Sequence, residues 1–301
     1  MKLATTTSDF TSFGLADEES ILAIADAGFH YIDYSFGYDY RTRSGLLGKN
    51  WKPFADKLLK LADTRGLQYV QAHSPLGRPL VCDNEQEDFI RLTKQSIETA
   101  AYLGIPNIVI HSGYDRDLSK EETFRKNKLF YQQLLPIAEK HSITLLTENF
   151  NKMFDPHYYW VDCAEDLLEL VEYIDHPLLQ VCWDVGHGNL QPLPQHEALR
   201  LLGSHVRALH IQDNLGSDDD HIFPYMGTLN FDSILHGLAD IHYTGYFTFE
   251  ADSTPLTASR RRKFEADTRC LQLPVDFRRK YESILYEIGK FILSQYHCLE
   301  E

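Results

Sequence analysis

The chain alternates between short apolar segments typical of β-strands and longer amphipathic segments typical of helices, at intervals of roughly 26 to 40 residues. A unit of this length, repeated about eight times, is what a parallel (β/α)8 barrel requires. Nearly every strand-like segment ends in a residue that can bind a metal ion. These residues are Asp33, His73, His111, Glu148, Asp184, His210 and Glu250. Because the carboxyl ends of all strands meet at one face of such a barrel, the sequence predicts a single polar, metal-binding pocket.

Length and composition favour one α/β domain. The chain has 301 residues, of which 43% are hydrophobic, and α/β barrels of this size commonly form one domain. We therefore expect a single (β/α)8 TIM barrel domain over residues 1–301, with the barrel at about 3–252 and a C-terminal loop and closing helix at 253–301. Helical spacing of apolar residues and glycine stop signals predict helices at residues 19–28, 51–66, 87–104, 127–142, 164–175, 197–204, 231–241 and 281–297.

The sequence contains no sign of a membrane or secretory segment. No run of 18 apolar residues occurs, so we expect no membrane span, and the first residues lack the apolar region of a signal peptide. The five cysteines are odd in number and lack CxxC spacing, which suits a reducing cytoplasm better than a disulfide framework. They are Cys82, Cys163, Cys182, Cys270 and Cys298. We expect a cytoplasmic protein.

The formal net charge of −15 makes a nucleic-acid partner improbable, because phosphate-binding proteins usually carry a basic surface. Basic residues cluster only after the last strand. They are Arg260, Arg261, Arg262, Lys263, Arg278, Arg279 and Lys280. The group predicts either a solvated surface or a patch that meets a phosphate or a partner subunit, as in a homo-oligomer.

Four residues at the predicted ends of strands five to eight are the central site candidates. They are Glu148, Asp184, His210 and Glu250. Three carboxylates and one imidazole form an oxygen-rich set that suits Mn²⁺, Mg²⁺ or Co²⁺ and tolerates Zn²⁺, with Mn²⁺ the preferred expectation. Without a cation, their charge would be concentrated and uncompensated, so a divalent metal site is favoured over a structural polar cluster.

Five further residues are expected at the same face. They are His73, His111, His187, Asp219 and His221. A single histidine on an apolar strand is more often structural than a ligand, but their joint placement at one barrel face predicts that they line the pocket. Whether they bind additional metals or contact a substrate stays open at this point.

The strings TEN, WDVGHGN, ALHIQDN, DDHIFPYMGTLNF and GYFTFEAD resemble those of the xylose-isomerase-like barrel superfamily, and most closely its sugar phosphate isomerase/epimerase branch. The resemblance covers residues 3 to 252 approximately, with five motifs in the same order. It implies that Glu148, Asp184, His210 and Glu250 bind one divalent metal. It also implies that the two glutamates act as acid and base and that His187 contacts a carbohydrate substrate.

The same superfamily includes endonuclease-four type nucleases, which cut DNA at abasic sites with three zinc ions. The chain matches their nine ligands at the four central and the five further positions. It departs from them after TEN, where FNKMFDP replaces a glycine-rich continuation, and at GTLNF, which lacks Gly-Glu-Gly. The missing glutamate also departs from some isomerases. Together with the net charge of −15, the departures favour the isomerase, and a trinuclear zinc phosphoesterase is the alternative.

The reaction implied is proton transfer next to a carbonyl group, through an enediolate whose charge a metal stabilises. Glu148 and Glu250, on opposite sides of a bound sugar, would remove and return the proton. Arg207 is a candidate for contacting substrate oxygens, but it starts a strand and is rather expected at the far end of the barrel. The aromatic residues Tyr34, Phe36, Phe150 and Trp183 would pack either against the sugar or within the core.

Overall fold

Eight parallel strands form the centre of the fold in a computed structural model that describes residues 1–11, 13–37, 45–80, 85–151, 160–255 and 273–300. The strands are β1 (Lys2–Thr6), β2 (Tyr31–Ser35), β3 (Gln68–His73), β4 (Asn107–Val109), β5 (Thr144–Glu148), β6 (Leu179–Asp184), β7 (Val206–His210) and β8 (Tyr246–Phe249). Their order is β7-β6-β5-β4-β3-β2-β1-β8. A parallel bridge between Ile211 and Phe249 joins the two edges, so the predicted (β/α)8 barrel is confirmed.

Helices connect the strands and cover the outside of the barrel. They are α1 (Ser8–Thr11), α2 (Asp17–Ala27), α3 (Trp51–Arg65), α4 (Gln86–Tyr102), α5 (Lys120–His141), α6 (Ala164–Ile174), α7 (Val185–Asn189), α8 (Gln195–Leu202), α9 (Phe231–Asp240) and α10 (Val275–Gln295). Short 3-10 turns occupy Gly45–Leu47 and Gly203–His205. The eight predicted helices are all present. The helix predicted at 127–142 begins seven residues earlier, at Lys120, where the Ser119 side chain caps its first turn. The last begins six residues earlier than predicted, after Pro274, at a position where a proline costs no hydrogen bond.

The closing helix α10 completes the barrel wall by packing on β1, β8 and α2. Gly289 permits the closest approach: a side chain there would lie 2.8 Å from both Leu3 and Phe249. The Met1 amino group donates to the carbonyl oxygen of Cys298 at 2.5 Å and to Glu300 Oε1 at 2.8 Å. The boundary predicted between barrel and C-terminal region stays a prediction, since residues 256–272 lie outside the described residues.

The structure bears on two of the sequence-based expectations, those about membrane spans and about the cysteines. No helix among the described residues is long and apolar enough to cross a membrane. The cysteines within the described ranges, Cys163, Cys182 and Cys298, are free thiols. The cytoplasmic location stays a prediction.

The expectation for the basic group after β8 is wrong at Arg278, which is completely buried instead of lying on a surface. Its Nη2 atom donates to Asp9 Oδ2 and to Glu282 Oε2, both at 2.6 Å. Its Nη1 atom donates to the carbonyl oxygens of Ala251, at 3.0 Å, and Thr254. Arg278 therefore joins α10 to the segments that follow β1 and β8. Lys280 is exposed, and residues 260–263 lie outside the described residues.

We predict that Arg278→Leu lowers the free energy of unfolding by about 3–5 kcal/mol, because it leaves the carboxylates of Asp9 and Glu282 buried without a cation. Urea denaturation would measure the change. The control is Arg200→Ala, which removes an exposed ion pair with Asp240 and should cost less than about 1 kcal/mol. Equal losses in the two variants would contradict a structural role for the buried cluster.

Candidate metal centre

The alternation of side chains along the strands brings the predicted residues into the barrel interior. A small buried layer inside the barrel is formed by Val109, Leu146, Cys182 and Ala208. Two positions further along the chain from each of these are His111, Glu148, Asp184 and His210. Because residues two apart share a face of a strand, they form the next layer toward the carboxyl ends of the strands. That end is where active sites of such barrels lie.

The central cluster consists of Glu148, Asp184, His210 and Glu250. One side-chain atom of each lies within 4.8 Å of the corresponding atoms of the other three. His210 Nδ1 lies 2.6 Å from Glu148 Oε1 and 3.3 Å from Glu250 Oε2. All four are at most 7% exposed. Glu148 Oε2 and Asp184 Oδ2 are buried without a hydrogen-bond partner among the described residues.

A second cluster adjoins the first through Glu148. The Nε2 atoms of His73 and His111 lie 3.0 Å apart. They lie 3.6 Å and 3.0 Å, respectively, from Glu148 Oε2. Glu148 therefore faces the central cluster with Oε1 and this second cluster with Oε2.

A third cluster is formed by His187, Asp219 and His221. His187 Nε2 lies 3.4 Å from Asp219 Oδ2, and His221 Nε2 lies 3.2 Å from Asp219 Oδ1. His187 belongs to the short helix α7, whose first turn is capped by Asp184: the Asp184 Oδ1 atom accepts from the His187 backbone N–H at 2.7 Å. This cap keeps the third cluster next to the central one. All nine predicted site residues thus lie in three adjoining groups.

Three of these histidines are oriented by backbone carbonyl groups. The Nδ1 atoms of His73, His187 and His221 lie 2.7, 2.9 and 2.9 Å from the carbonyl oxygens of Ser74, Asn149 and Glu250. A carbonyl oxygen only accepts, so each Nδ1 carries the proton and each neutral ring presents an Nε2 lone pair to the pocket. These nitrogens face carboxylate oxygens, an arrangement that is repulsive unless a positive charge, either a proton on Nε2 or a metal ion, lies between them. Metal-binding histidines in proteins are oriented in this way.

His210 is oriented by side chains instead. Its Nε2 atom lies 3.3 Å from Asp33 Oδ2 and 2.8 Å from Gln71 Nε2, which leaves Nδ1 directed at Glu148 and Glu250. A histidine that donates its outer N–H to Asp33 would present its inner nitrogen as a ligand. The four central residues therefore fit a divalent cation, both in ligand chemistry and in having buried oxygens without partners.

The charges of the pocket show the same need for a cation. Burial raises the pKa values of the Asp184 and Glu250 carboxyl groups above their usual range. Burial also opposes ionisation of Glu148, but the neighbouring His210 and His111 hold its pKa well below its usual range. Burial disfavours a charged His187, yet Asp184 and Asp219 raise its pKa to about 10. Without a metal, protons therefore supply the positive charge of the pocket.

Sequence inspection missed the amides that hold the acidic residues. Asn149 Nδ2 donates to the Asp184 carbonyl oxygen at 2.9 Å, and Asn149 Oδ1 accepts from the Asp184 N–H at 2.8 Å. Gln212 Nε2 donates to Asp184 Oδ1 at 3.2 Å and to Asp219 Oδ1 at 3.1 Å. Gln71 and Gln212 could have been found, because each stands two positions from a predicted histidine and so shares its face of the strand.

The aromatic residues divide between pocket and core. The Phe150 ring centroid lies 5.3 Å from those of both His111 and His187, so Phe150 lines the pocket. It stacks on Trp160 at 3.9 Å, a residue that no strand-end pattern marks. Tyr34, Phe36 and Trp183 are all buried and pack within the core, the second of the two expected locations. Arg207 is exposed near the start of β7, away from the pocket as expected.

Comparison with known proteins gives one family. A sequence model of the family described as "Xylose isomerase-like TIM barrel" matches residues 21–272, which is most of the chain. The uncharacterized protein MJ1311 of Methanocaldococcus jannaschii is 30% identical over 203 residues, covering 64% of this chain and 67% of that protein. A 2-oxo-tetronate isomerase of Haemophilus influenzae is 27% identical over 239 residues, covering 74% of this chain and 83% of that protein.

A solved structure has the same fold over nearly its whole length. The crystal structure of a D-tagatose 3-epimerase-like protein superposes with a TM-score of 0.74 at 22% sequence identity. The superposition covers 98% of this chain and 97% of that one. The likeness extends to the closing helix, beyond the part that the family model matches.

We predict that binding of a divalent metal releases protons, because His187, with a pKa of about 10, is charged in the metal-free protein at pH 7, and a cation held by the neighbouring Asp184 would repel that charge. Apparent affinity should therefore rise with pH below about 10. Calorimetric titration of the metal at one pH, in two buffers of different ionisation enthalpy, would count the protons.

The matched variants are His187→Gln, which should release fewer protons, and His176→Gln, which should leave the number unchanged. His176 lies before β6, at the opposite end of the barrel. Equal heats in both buffers for the unaltered protein would contradict the prediction.

Proposed function

Because this chain belongs to the xylose isomerase-like TIM barrel family, we propose that it is a divalent-metal-dependent isomerase or epimerase of a small carbohydrate. The substrate class includes sugars, sugar phosphates and keto-sugars. An isomerase is among its curated relatives, and that relative is matched over 83% of its own length. A structure described as epimerase-like shares the fold.

The observation that carries the metal dependence is the orientation of the histidines. Backbone carbonyls fix Nδ1–H of His73, His187 and His221, so that their Nε2 lone pairs point at buried carboxylates. In the metal-free protein a proton on Nε2 supplies the missing positive charge, as at the charged His187, and a divalent metal ion would take its place. The arrangement is stable only with positive charge between the groups, which a divalent cation supplies.

We assign Glu148, Asp184, His210 and Glu250 as the residues that hold the catalytic cation, with Mn²⁺ the preferred ion for this oxygen-rich set. A bound divalent cation supplies positive charge that stabilises negative charge developing on substrate oxygens. Asp33 holds the His210 ring by its outer nitrogen, and Asn149 holds the backbone of Asp184.

Proton transfer is assigned to Glu148 and Glu250. Their carboxylate oxygens lie 2.6 Å and 3.3 Å from His210 Nδ1. Glu148 ends β5 and Glu250 follows β8, and these two strands are separated by β6 and β7. A carboxylate on each side of a substrate carbon can remove a proton from one face and return it to the other, or to the neighbouring carbon. The first outcome is epimerisation and the second is isomerisation.

The remaining residues suit the binding of a polyhydroxy compound. Where no ion is bound, a neutral Nε2 of His73, His111, His187 or His221 can accept from a substrate hydroxyl group, and a protonated Nε2 can donate to a phosphate oxygen. The stacked rings of Phe150 and Trp160 offer an apolar surface to the carbon–hydrogen face of a sugar. One wall of the pocket is therefore apolar, and its base is charged.

The second candidate is a trinuclear zinc phosphoesterase, and the grouping of the nine residues favours it. Three sets of possible ligands adjoin, and Glu148 is shared by two of them. In such an enzyme all the histidine lone pairs would bind metal, and a metal-activated water would attack phosphorus. The net charge of −15 opposes a DNA substrate.

We predict that the protein holds about one divalent ion per chain tightly, because among the described residues only the central cluster combines three carboxylates with one imidazole. The protein would first be saturated with metal, and unbound metal would then be removed. Elemental analysis of the protein would measure this ratio. About three zinc ions per chain, together with cleavage of abasic-site DNA, would replace the isomerase with the phosphoesterase.

Glu148→Gln and Glu250→Gln should each slow exchange of substrate hydrogen for solvent deuterium by about 10²- to 10⁴-fold, because an amide cannot accept the proton. The measurement screens ketoses and keto-sugar acids in deuterium oxide, at saturating metal because each variant also loses a charged ligand. Glu197→Gln, on the exposed surface of α8, is the control and should exchange at the unaltered rate.

The acid/base assignment fails if either metal-loaded variant, folded and saturated, exchanges as fast as the unaltered protein. Retained exchange would show that the two glutamates only hold the ion.

A further inference from the structure

The closing helix α10 carries a second apolar stripe on the side that faces away from the barrel. Its buried side includes Leu285, Gly289 and Ile292. On the outer side, Phe277, Ile284 and Phe291 recur at intervals of seven residues and are 44%, 50% and 55% exposed. Seven residues make about two helical turns, so the three side chains form a straight row. A helix that covers a barrel needs only one apolar side, and within the described residues this exposed row is not part of the buried core.

A loop next to α10 extends the exposed apolar surface. Tyr225, in the segment after β7, is 60% exposed, and its ring lies 6.2 Å from that of Phe291. Its backbone φ of 69° lies in the left-handed region, which is strained for a bulky residue. Between Tyr225 and α10 lies a groove of about 580 Å³, whose lining includes Ile284, Ile288 and Phe291. Contiguous apolar surface of this kind usually marks an interaction site.

Charged residues between the apolar ones make the row self-complementary. Lys280 and Glu287 alternate with Phe277, Ile284 and Phe291. If two copies of α10 pack antiparallel about a two-fold axis at Ile284, Phe277 of one copy meets Phe291 of the other. At a rise of about 1.5 Å per residue, Lys280 then lies within about 1.5 Å of the level of Glu287 in the second copy, on the same side of the contact. The symmetry repeats this opposite-charge pair, so the surface complements itself in shape and charge.

We propose that this face, formed by α10 and Tyr225, is a homodimer interface whose occupant is the same face of a second copy of the chain. A two-fold contact uses one patch on both subunits, and the row supplies the matching residues on either side of its centre. The proposal does not depend on the reaction proposed above.

The first test measures mass by light scattering and sedimentation over a concentration series. The unaltered protein should be a dimer that dissociates on dilution. Ile284→Glu brings two carboxylates together at the axis and should weaken dimerisation by about 100-fold or more, with fold and metal binding retained. The control is Leu129→Glu on α5, where the native leucine is also 50% exposed, and it should leave the dimer unchanged.

The second test addresses the symmetry. Ile284→Cys places two thiols at the axis and should form a disulfide-linked dimer on mild oxidation, whereas Leu129→Cys and the unaltered protein should not. Lys280→Glu alone should weaken the dimer, and Lys280→Glu combined with Glu287→Lys should restore it. A monomer at every concentration, a dimer that survives Ile284→Glu, or a contact with another protein in place of self-association would each overturn the proposal.

Discussion

The requirement for positive charge at the carboxyl end of the barrel organises the rest of this site. Glu148, Asp184 and Glu250 converge in the buried interior, and an uncompensated carboxylate there costs several kcal/mol. The histidines surround this negative charge. The backbone carbonyl oxygens that accept from Nδ1 of His73, His187 and His221 turn the Nε2 atoms of these rings toward the carboxylates. Strand ends, α7 and the loop after β7 are therefore arranged around a cation as much as around a substrate.

The fold and the placement of the strand-end residues at one face could be predicted from sequence because both follow from periodicity, whereas His187, Asp219 and His221 follow the strand ends and were matched through the family resemblance. Strands that recur at a fixed interval imply a barrel, and a polar residue at the end of an apolar strand is conspicuous. Arg278 could not be placed in this way. Its environment comes from Asp9 and Glu282, which are 269 and 4 residues away along the chain, and a basic residue near two others suggests a surface. Asn149 escaped notice because its contribution is to fix the Asp184 backbone, and no local pattern marks that contact.

The related proteins support the type of reaction, and the geometry of the pocket supports the residues assigned to it. The family and the isomerase among the relatives support a class of reaction, while the structure supports a particular set of ligands and proton carriers. The departure at GTLNF lies within the described residues and leaves the three clusters together, while most of FNKMFDP falls in residues 152–159, outside the described part of the chain. The two candidate enzymes therefore differ in what the Nε2 atoms of His73, His111, His187 and His221 bind. In a phosphoesterase they would bind metal ions, and in a carbohydrate enzyme they would bind the substrate.

The sharing of Glu148 between two clusters has a thermodynamic consequence. Its Oε1 faces His210 and its Oε2 faces His111, so one negative charge serves two neighbouring positions. A cation at either position would offset part of the negative charge of Glu148 and would repel a second cation on the other side of the carboxylate. The second cation would therefore bind more weakly. Linkage makes this penalty reciprocal, whichever position fills first. If both positions bind ions, binding at them would be negatively cooperative, and a wide range of metal concentration would separate the singly loaded protein from the fully loaded one.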